Sequence, residues 1–188
     1  MPNLRIRLWD VATVAALLAT LSTAFASMSW ISAGKAGGVA GDQKTAALGV
    51  MILRLEAVTE ASNALVQAQT YLTQAAMYYA QAETAGDEEL KAFLEGLGDQ
   101  SLQISQTRTK AAEDWKGRSE SYYAKYEEAL NQAAEYGNKS DHRSTAALIF
   151  NVSAAMASLM VIFKRWKLLL VYAPIFFVGL YYFVASFL

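Results

Sequence analysis

Apolar positions along the chain fall into three uncharged runs and one long periodic stretch. The first run is Val11 to Ile31, the second Ser144 to Phe163 and the third Leu168 to Leu188. At a rise of about 1.5 Å per residue, some 20 apolar residues in a helix match a hydrocarbon core of about 30 Å. Each run is therefore expected to be a membrane-spanning helix. Trp9 and Trp30 bracket the first run, as interfacial anchors do. Lys164-Arg165-Trp166-Lys167 separates the second and third runs and leaves room only for a tight turn between two spans. An alternative for the first run is a cleaved signal peptide, with Ala24-Phe25-Ala26 as a small-x-small site. The apolar stretch continues past that point to Trp30 and Ile31, so an uncleaved anchor is expected.

Between the first and second runs the apolar spacing becomes helical. Leu48, Ile52, Leu55, Val58, Leu65, Leu72, Ala76 and Tyr79 recur at three, four and seven residues, with Ser62 and Gln69 filling two positions of the same seam. Ile104, Ala111, Trp115, Tyr122, Tyr126, Leu130 and Ala133 mark a second helical face. Residues 35–42, with three glycines, read as a flexible joint in which Asp42 caps the helix that follows. Ala85-Gly86-Asp87 reads as a break, with Gly86 at C′ and Asp87 as the next N-cap. A second glycine cluster, Gly96-Leu97-Gly98-Asp99, leaves the tip either at 85–87 or spread over 85–99. Gly137-Asn138 reads as a helix stop, and Lys139–Arg143 as a polar joint into the second span. The expected fold is an all-α integral membrane protein of three transmembrane helices and a long antiparallel helical hairpin. Its parts are an N-terminal anchor (1–34), the hairpin (35–143) and a C-terminal two-helix membrane hairpin (144–188).

Charge gives these parts a direction. Arg5 and Arg7 precede the first span, and Lys164, Arg165 and Lys167 fill the turn between the other two. Short basic flanks stay on the cytoplasmic side. Residues 35–143 hold 11 Lys/Arg and 16 Asp/Glu, a net of −5. The N-terminus is thus expected in the cytoplasm of a bacterial cell, the chain in its inner membrane, and 35–143 outside, periplasmic or extracellular. Composition agrees: the 188 residues are 54% hydrophobic and 18% charged, against about 25% charged in soluble domains. A formal net charge of −1 offers nothing to nucleic acid. The absence of cysteine excludes a disulfide framework, a cysteine metal site and a thiol nucleophile.

The order of parts resembles a bacterial family of small three-span membrane proteins with a helical coiled-coil insert, catalogued as a domain of unknown function. The matching residues are Ala16-Leu17-Leu18-Ala19-Thr20-Leu21-Ser22-Thr23 and the glycine-rich stretch after them, Ala147-Leu148-Ile149-Phe150, the Lys164–Lys167 turn and Gly179-Leu180-Tyr181-Tyr182-Phe183. They cover both membrane parts, about 75 residues. The resemblance implies the architecture and carries no activity. Chemoreceptor sensor domains share the scheme of span, exported helices and span, but here a four-residue turn is expected on the cytoplasmic side where those proteins carry an output domain.

No residue set supplies an enzyme's chemistry. His142 is the one histidine, and with Asp141 it falls short of a zinc site. The carboxylates of Asp87-Glu88-Glu89 and Glu127-Glu128 read as capping and solvated charge. Gly37-Gly38-Val39-Ala40-Gly41 follows a span rather than a strand and lacks the Lys-Ser/Thr ending of a phosphate loop. No catalytic residue, cofactor or metal is expected. In the first span, Ala12, Ala16, Ala19, Thr23 and Ala26 form a small-residue seam for helix packing. Asn151 is the most polar side chain within any span and is expected to bond across helices. Tyr71, Tyr78, Tyr79, Trp115, Tyr122 and Tyr126 are expected to build the hairpin seam and a partner-contact face. A two-helix hairpin buries little, which implies membrane lipid plus a second copy or a larger membrane complex as partners. The functional expectation is a non-catalytic structural or interaction protein, an accessory subunit or homo-oligomer. The alternatives are an exported ligand-binding sensor or adaptor acting through a partner and, further off, a channel or transporter component.

Overall fold

The computed structural model describes the backbone of residues 3–188 and the side chains from Val11 onward. It is helical almost throughout: α1 spans Asn3–Thr84, α2 Glu88–Phe163, and α3 Leu169–Ala185 after a 3-10 turn at Trp166–Leu168. All three helices are long and apolar enough to cross a membrane. Trp9, Arg5 and Arg7 lie outside the residues whose side chains are described.

The breaks are fewer than the glycines suggest. Residues 35–42 are helical, Asp42 caps nothing, and the helix runs through Gly34, Gly37, Gly38 and Gly41. Gly137-Asn138 and Lys139–Arg143 are likewise helical, as is the Gly96–Asp99 cluster. Glycine costs a helix up to about 1 kcal/mol relative to alanine, a weak preference that packing overrides. Here the packing is visible: Ala33, Ala36 and Ala40 are buried, and Ser140 Oγ donates to the Ala33 carbonyl at 3.1 Å. The tip is thus Ala85–Asp87 alone. Asp87 caps α2 by accepting the Glu89 N–H at 2.9 Å, as its position predicts. Gly86 does not take the left-handed conformation expected of a C′ glycine. The basic turn is sharp: Lys164, at φ 49°, is the one non-glycine residue with positive φ among those described.

The chain forms two compact units. One holds the residues up to Lys44 together with Leu130–Leu188; the other is Thr45–Ala129. In the first, two small clusters make the core. Ala15, Ala157, Met160 and Tyr172 form one, and Ala26, Ala146 and Phe150 the other. Phe150 is fully buried, with its ring 5.2 Å from Phe25 and 5.3 Å from Phe176. Tyr172 makes a polar bond between α3 and α1: its hydroxyl lies 2.9 Å from Ser22 Oγ and donates to the Leu18 carbonyl at 3.3 Å. Asn151 was expected to make such a bond, but it lies on the exposed side of α2. The face of α1 that packs is Val11, Ala15, Ser22, Ala26 and Ser29. Ala12 and Ala19 are half-buried beside it, and Ala16 and Thr23 lie on the open side.

In the second unit the contact runs through alanine and serine rather than leucine. Ala47, Ala57, Ala64, Ala68, Ala75 and Ala82 are buried on α1, and Ser101, Ser105, Ala112 and Ser119 on α2. Once the half-buried Arg54, Ala61, Tyr71 and Tyr78 are included, the α1 residues of this face recur every three, four or seven positions. The partner number on α2 falls as the number on α1 rises. Arg54 lies over Tyr123, Ser105 Oγ donates to the Ala68 carbonyl at 2.8 Å, and Tyr79 meets Asp99. Small residues let two helix backbones approach closely, which is why alanine takes the seam. Leu48, Ile52, Leu55, Val58, Leu65 and Leu72, expected to be that seam, are exposed instead.

Candidate interaction surface

Helix α1 of the Thr45–Ala129 unit carries three strips. The alanine strip faces α2. A polar strip holds Glu56, Glu60, Gln67 and Gln74. The third strip is Leu48, Met51, Leu55, Val58, Leu65 and Leu72, flanked by Ile52 and Val66, and no described residue covers it. Leu55 is 67% exposed and Leu65 53%, values at which large aliphatics are usually met singly on a soluble surface rather than in a row.

Charge is divided unevenly between the helices. From Thr45 to Thr84, α1 has only Arg54, Glu56, Glu60 and Glu83, and Ala61–Ala82 has no charge at all. Helix α2 has fifteen charged residues from Glu88 to Ala129. Here α2 is a helix dressed for water, and α1 is not.

Polar contacts pin the two helices at intervals. Arg54 sits 4.5 Å from the centre of the Tyr123 ring, a cation–π contact that shelters its charge within the alanine seam. A hydrogen bond to Glu127 holds the Tyr123 phenol above its ordinary pKa, and the Arg54 charge works the other way. Nearer the tip, Tyr79 Oη donates to Asp99 Oδ1 at 2.6 Å. A β-carbon on Gly98 would lie 2.7 Å from Tyr79 Cε1, so glycine leaves the space this ring occupies. Gly98 therefore serves as a seat for Tyr79 and not as a bend.

The bond to Asp99 raises the Tyr79 pKa above 10.0, with further upward pushes from desolvation and from the charges of Asp99 and Glu95. Asp99→Asn leaves only a neutral, weaker acceptor and removes the carboxylate charge, so Tyr79 should ionise at lower pH, nearer 10.0. Because the folded value is the raised one, the contact's stabilisation is full below about pH 10 and fades as pH climbs through the folded pKa. The difference in near-ultraviolet phenolate absorbance between wild type and Tyr79→Phe isolates this titration. Superimposable titrations of wild type and Asp99→Asn contradict the assignment.

The aromatic residues expected at the partner face are divided. Tyr71, Tyr78, Tyr79, Trp115, Tyr122 and Tyr126 are all half-buried, and Tyr71 and Tyr78 occupy gaps in the alanine seam. Trp115 stacks under Arg118, 4.5 Å from its guanidinium carbon. The Lys164–Lys167 anchors lie at the α2–α3 turn, and Trp30 is exposed near the end of the first apolar run.

Sequence reading missed Arg143, which it placed in a polar joint. Its Nε donates to Ser186 Oγ at 3.1 Å, Nη2 to the Ser186 carbonyl at 3.4 Å and Nη1 to the Ser32 carbonyl at 3.2 Å. Its guanidinium also lies 4.7 Å from the Phe187 ring centre. One side chain thus joins α1, α2 and the residues after α3. The only signal was an arginine at the mouth of an uncharged run.

Among the described residues no group of three or more His, Cys, Asp or Glu is placed to hold a metal ion. His142 is exposed, with its ring centre 5.8 Å from that of Tyr182. The groove along Gln100, Gln103, Ile104, Thr107, Arg108 and Ala111 lies on one face of α2 and has no opposing wall. No family model, curated protein or solved structure matches this chain.

Proposed function

We propose that this chain is a non-catalytic integral membrane protein of structural or interaction type, with three spans and an exported helical hairpin that docks on a partner. The observation that carries this reading is the uncovered aliphatic strip of α1 beside the charge-rich Glu88–Ala129 part of α2. An exported hairpin with both faces in water would not keep Ala61–Ala82 free of charge. The alanine seam supports the reading from the other side. Each buried methyl or methylene contributes only about 0.8 kcal/mol, so a seam of single methyls holds two helices weakly without help. Basic flanks at Arg5, Arg7 and Lys164–Lys167 support an orientation with the N-terminus in the cytoplasm, the chain in a bacterial inner membrane and the hairpin outside.

A ligand-binding sensor needs a polar pocket between the helices. The alanine–serine seam, closed by the Ser105–Ala68 bond, favours the structural reading over that one. Solubilised in a mild detergent, the protein should run at a mass well above its 20.5 kDa chain, after correction for bound detergent. A single-chain particle with no co-purifying subunit contradicts the proposal.

A further inference from the structure

We propose that the aliphatic strip of α1 is the docking face for a second copy of this chain, the two α1 helices lying parallel and in register. The inference rests on the membrane reading above and names its partner. The strip keeps a coiled-coil repeat over its whole length: Leu48, Met51, Leu55, Val58, Ser62, Leu65, Gln69, Leu72, Ala76 and Tyr79 alternate at three and four residues. Helix α1 therefore carries two such seams side by side. The alanine seam is filled by α2, and from Leu48 to Leu72 no described residue covers the aliphatic one; only its last member, Tyr79, turns to α2.

Size, charge and direction each point to a second copy. Leu48, Met51, Ile52, Leu55, Val58, Leu65, Val66 and Leu72 leave roughly 800 Å² uncovered, about one partner's share of a standard stable interface. A two-fold pairing sets each residue against itself or a near neighbour, so any charge on the face would meet its like. Glu56 and Glu60 lie on the polar strip, and the aliphatic strip and its Ile52, Thr59, Val66 and Thr73 flank hold no charge. Gln69 falls in the seam, and its amide carries both donor and acceptor, so two copies can bond to each other. Two copies inserted in one membrane point the same way. A two-fold axis along the membrane normal then brings α1 to α1 in parallel.

The chain has no cysteine, so single-cysteine variants report directly. Val58→Cys, Leu65→Cys and Leu72→Cys, oxidised mildly in native membranes, should each form a disulfide-linked dimer. Glu56→Cys, Glu60→Cys and Gln67→Cys on the polar strip should do so at least tenfold less. Equal crosslinking on both strips, or none on the aliphatic strip, overturns the proposal. Leu55→Asp with Leu65→Asp alters only exposed side chains, so helix content should stay unchanged while crosslinking through Leu72→Cys is lost. Retained crosslinking in that variant also overturns it. A detergent particle enlarged by a different subunit, with no crosslink from the aliphatic strip, defeats the second copy and leaves the interaction reading standing. A single-chain particle without crosslinks defeats both.

Discussion

Gly179→Leu should push the third helix off the second and lower the stability of the detergent-solubilised protein by about 2 kcal/mol or more. A β-carbon at Gly179 would stand 3.1 Å from Ile149 Cγ2 and from Phe150 Cδ1 and Cε1. Leucine adds three further carbons in the same direction. Phe150 cannot yield easily, because it is fully buried between Phe25 and Phe176. In lipid no hydrophobic drive between helices offsets the misfit, since packing itself is the main attraction. Phe150→Ala alone loses those ring contacts and should also destabilise. The two changes together should cost less than their sum, because alanine vacates the volume that leucine needs. Thermal melting of the four proteins in one detergent measures this cycle, and strict additivity contradicts the packing.

Arg143→Leu should cost about 2 kcal/mol and loosen the end of the chain, since hydrogen bonds to charged groups are worth about 1.5–3 kcal/mol. The arginine fork reaches Ser32 on α1 and both oxygens of Ser186, a residue that is fully buried. Lysine has one donor centre and cannot span the same three acceptors, so Arg143→Lys should recover less than half of the loss. Amide hydrogen exchange over residues 183–188 should quicken in Arg143→Leu while the Tyr172 region is little changed. Unaltered exchange at 183–188 contradicts the latch.

These two sites mark the boundary of what was legible in the sequence. The three uncharged runs and a break starting at Ala85–Asp87 could be read because length, charge and capping act locally, but the Gly96–Asp99 cluster left the extent of that break open. Helix in the Thr45–Ala129 unit was likewise readable from spacing. Which face of that helix packs was not. Periodicity showed Leu48 through Tyr79, and those residues were the obvious seam. The alanine repeat one strip over is equally regular, but alanine is too common in helices to draw attention. The choice between them is set by how closely α2 approaches, and α2 offers serine, glycine and alanine at Gly98, Ser101, Ser105 and Ala112. The continuous helix through Gly34–Gly41 was hidden for a related reason. A glycine's preference to break a helix is a local quantity of about 1 kcal/mol, and the burial of Ala33, Ala36 and Ala40 that outweighs it is not local. Arg143 has no periodic signature, and its partners lie 43 and 111 residues away in sequence.

In the proposed topology the chain crosses the membrane three times and its helical hairpin lies outside. A cysteine at Asp87, in the tip, and another at Lys164, in the basic turn, report on this in intact cells treated with a membrane-impermeant maleimide after the outer envelope is made permeable. The expected result is labelling of Asp87→Cys at once and of Lys164→Cys only after the inner membrane is opened. Labelling of Lys164→Cys in sealed cells, or protection of Asp87→Cys, contradicts it.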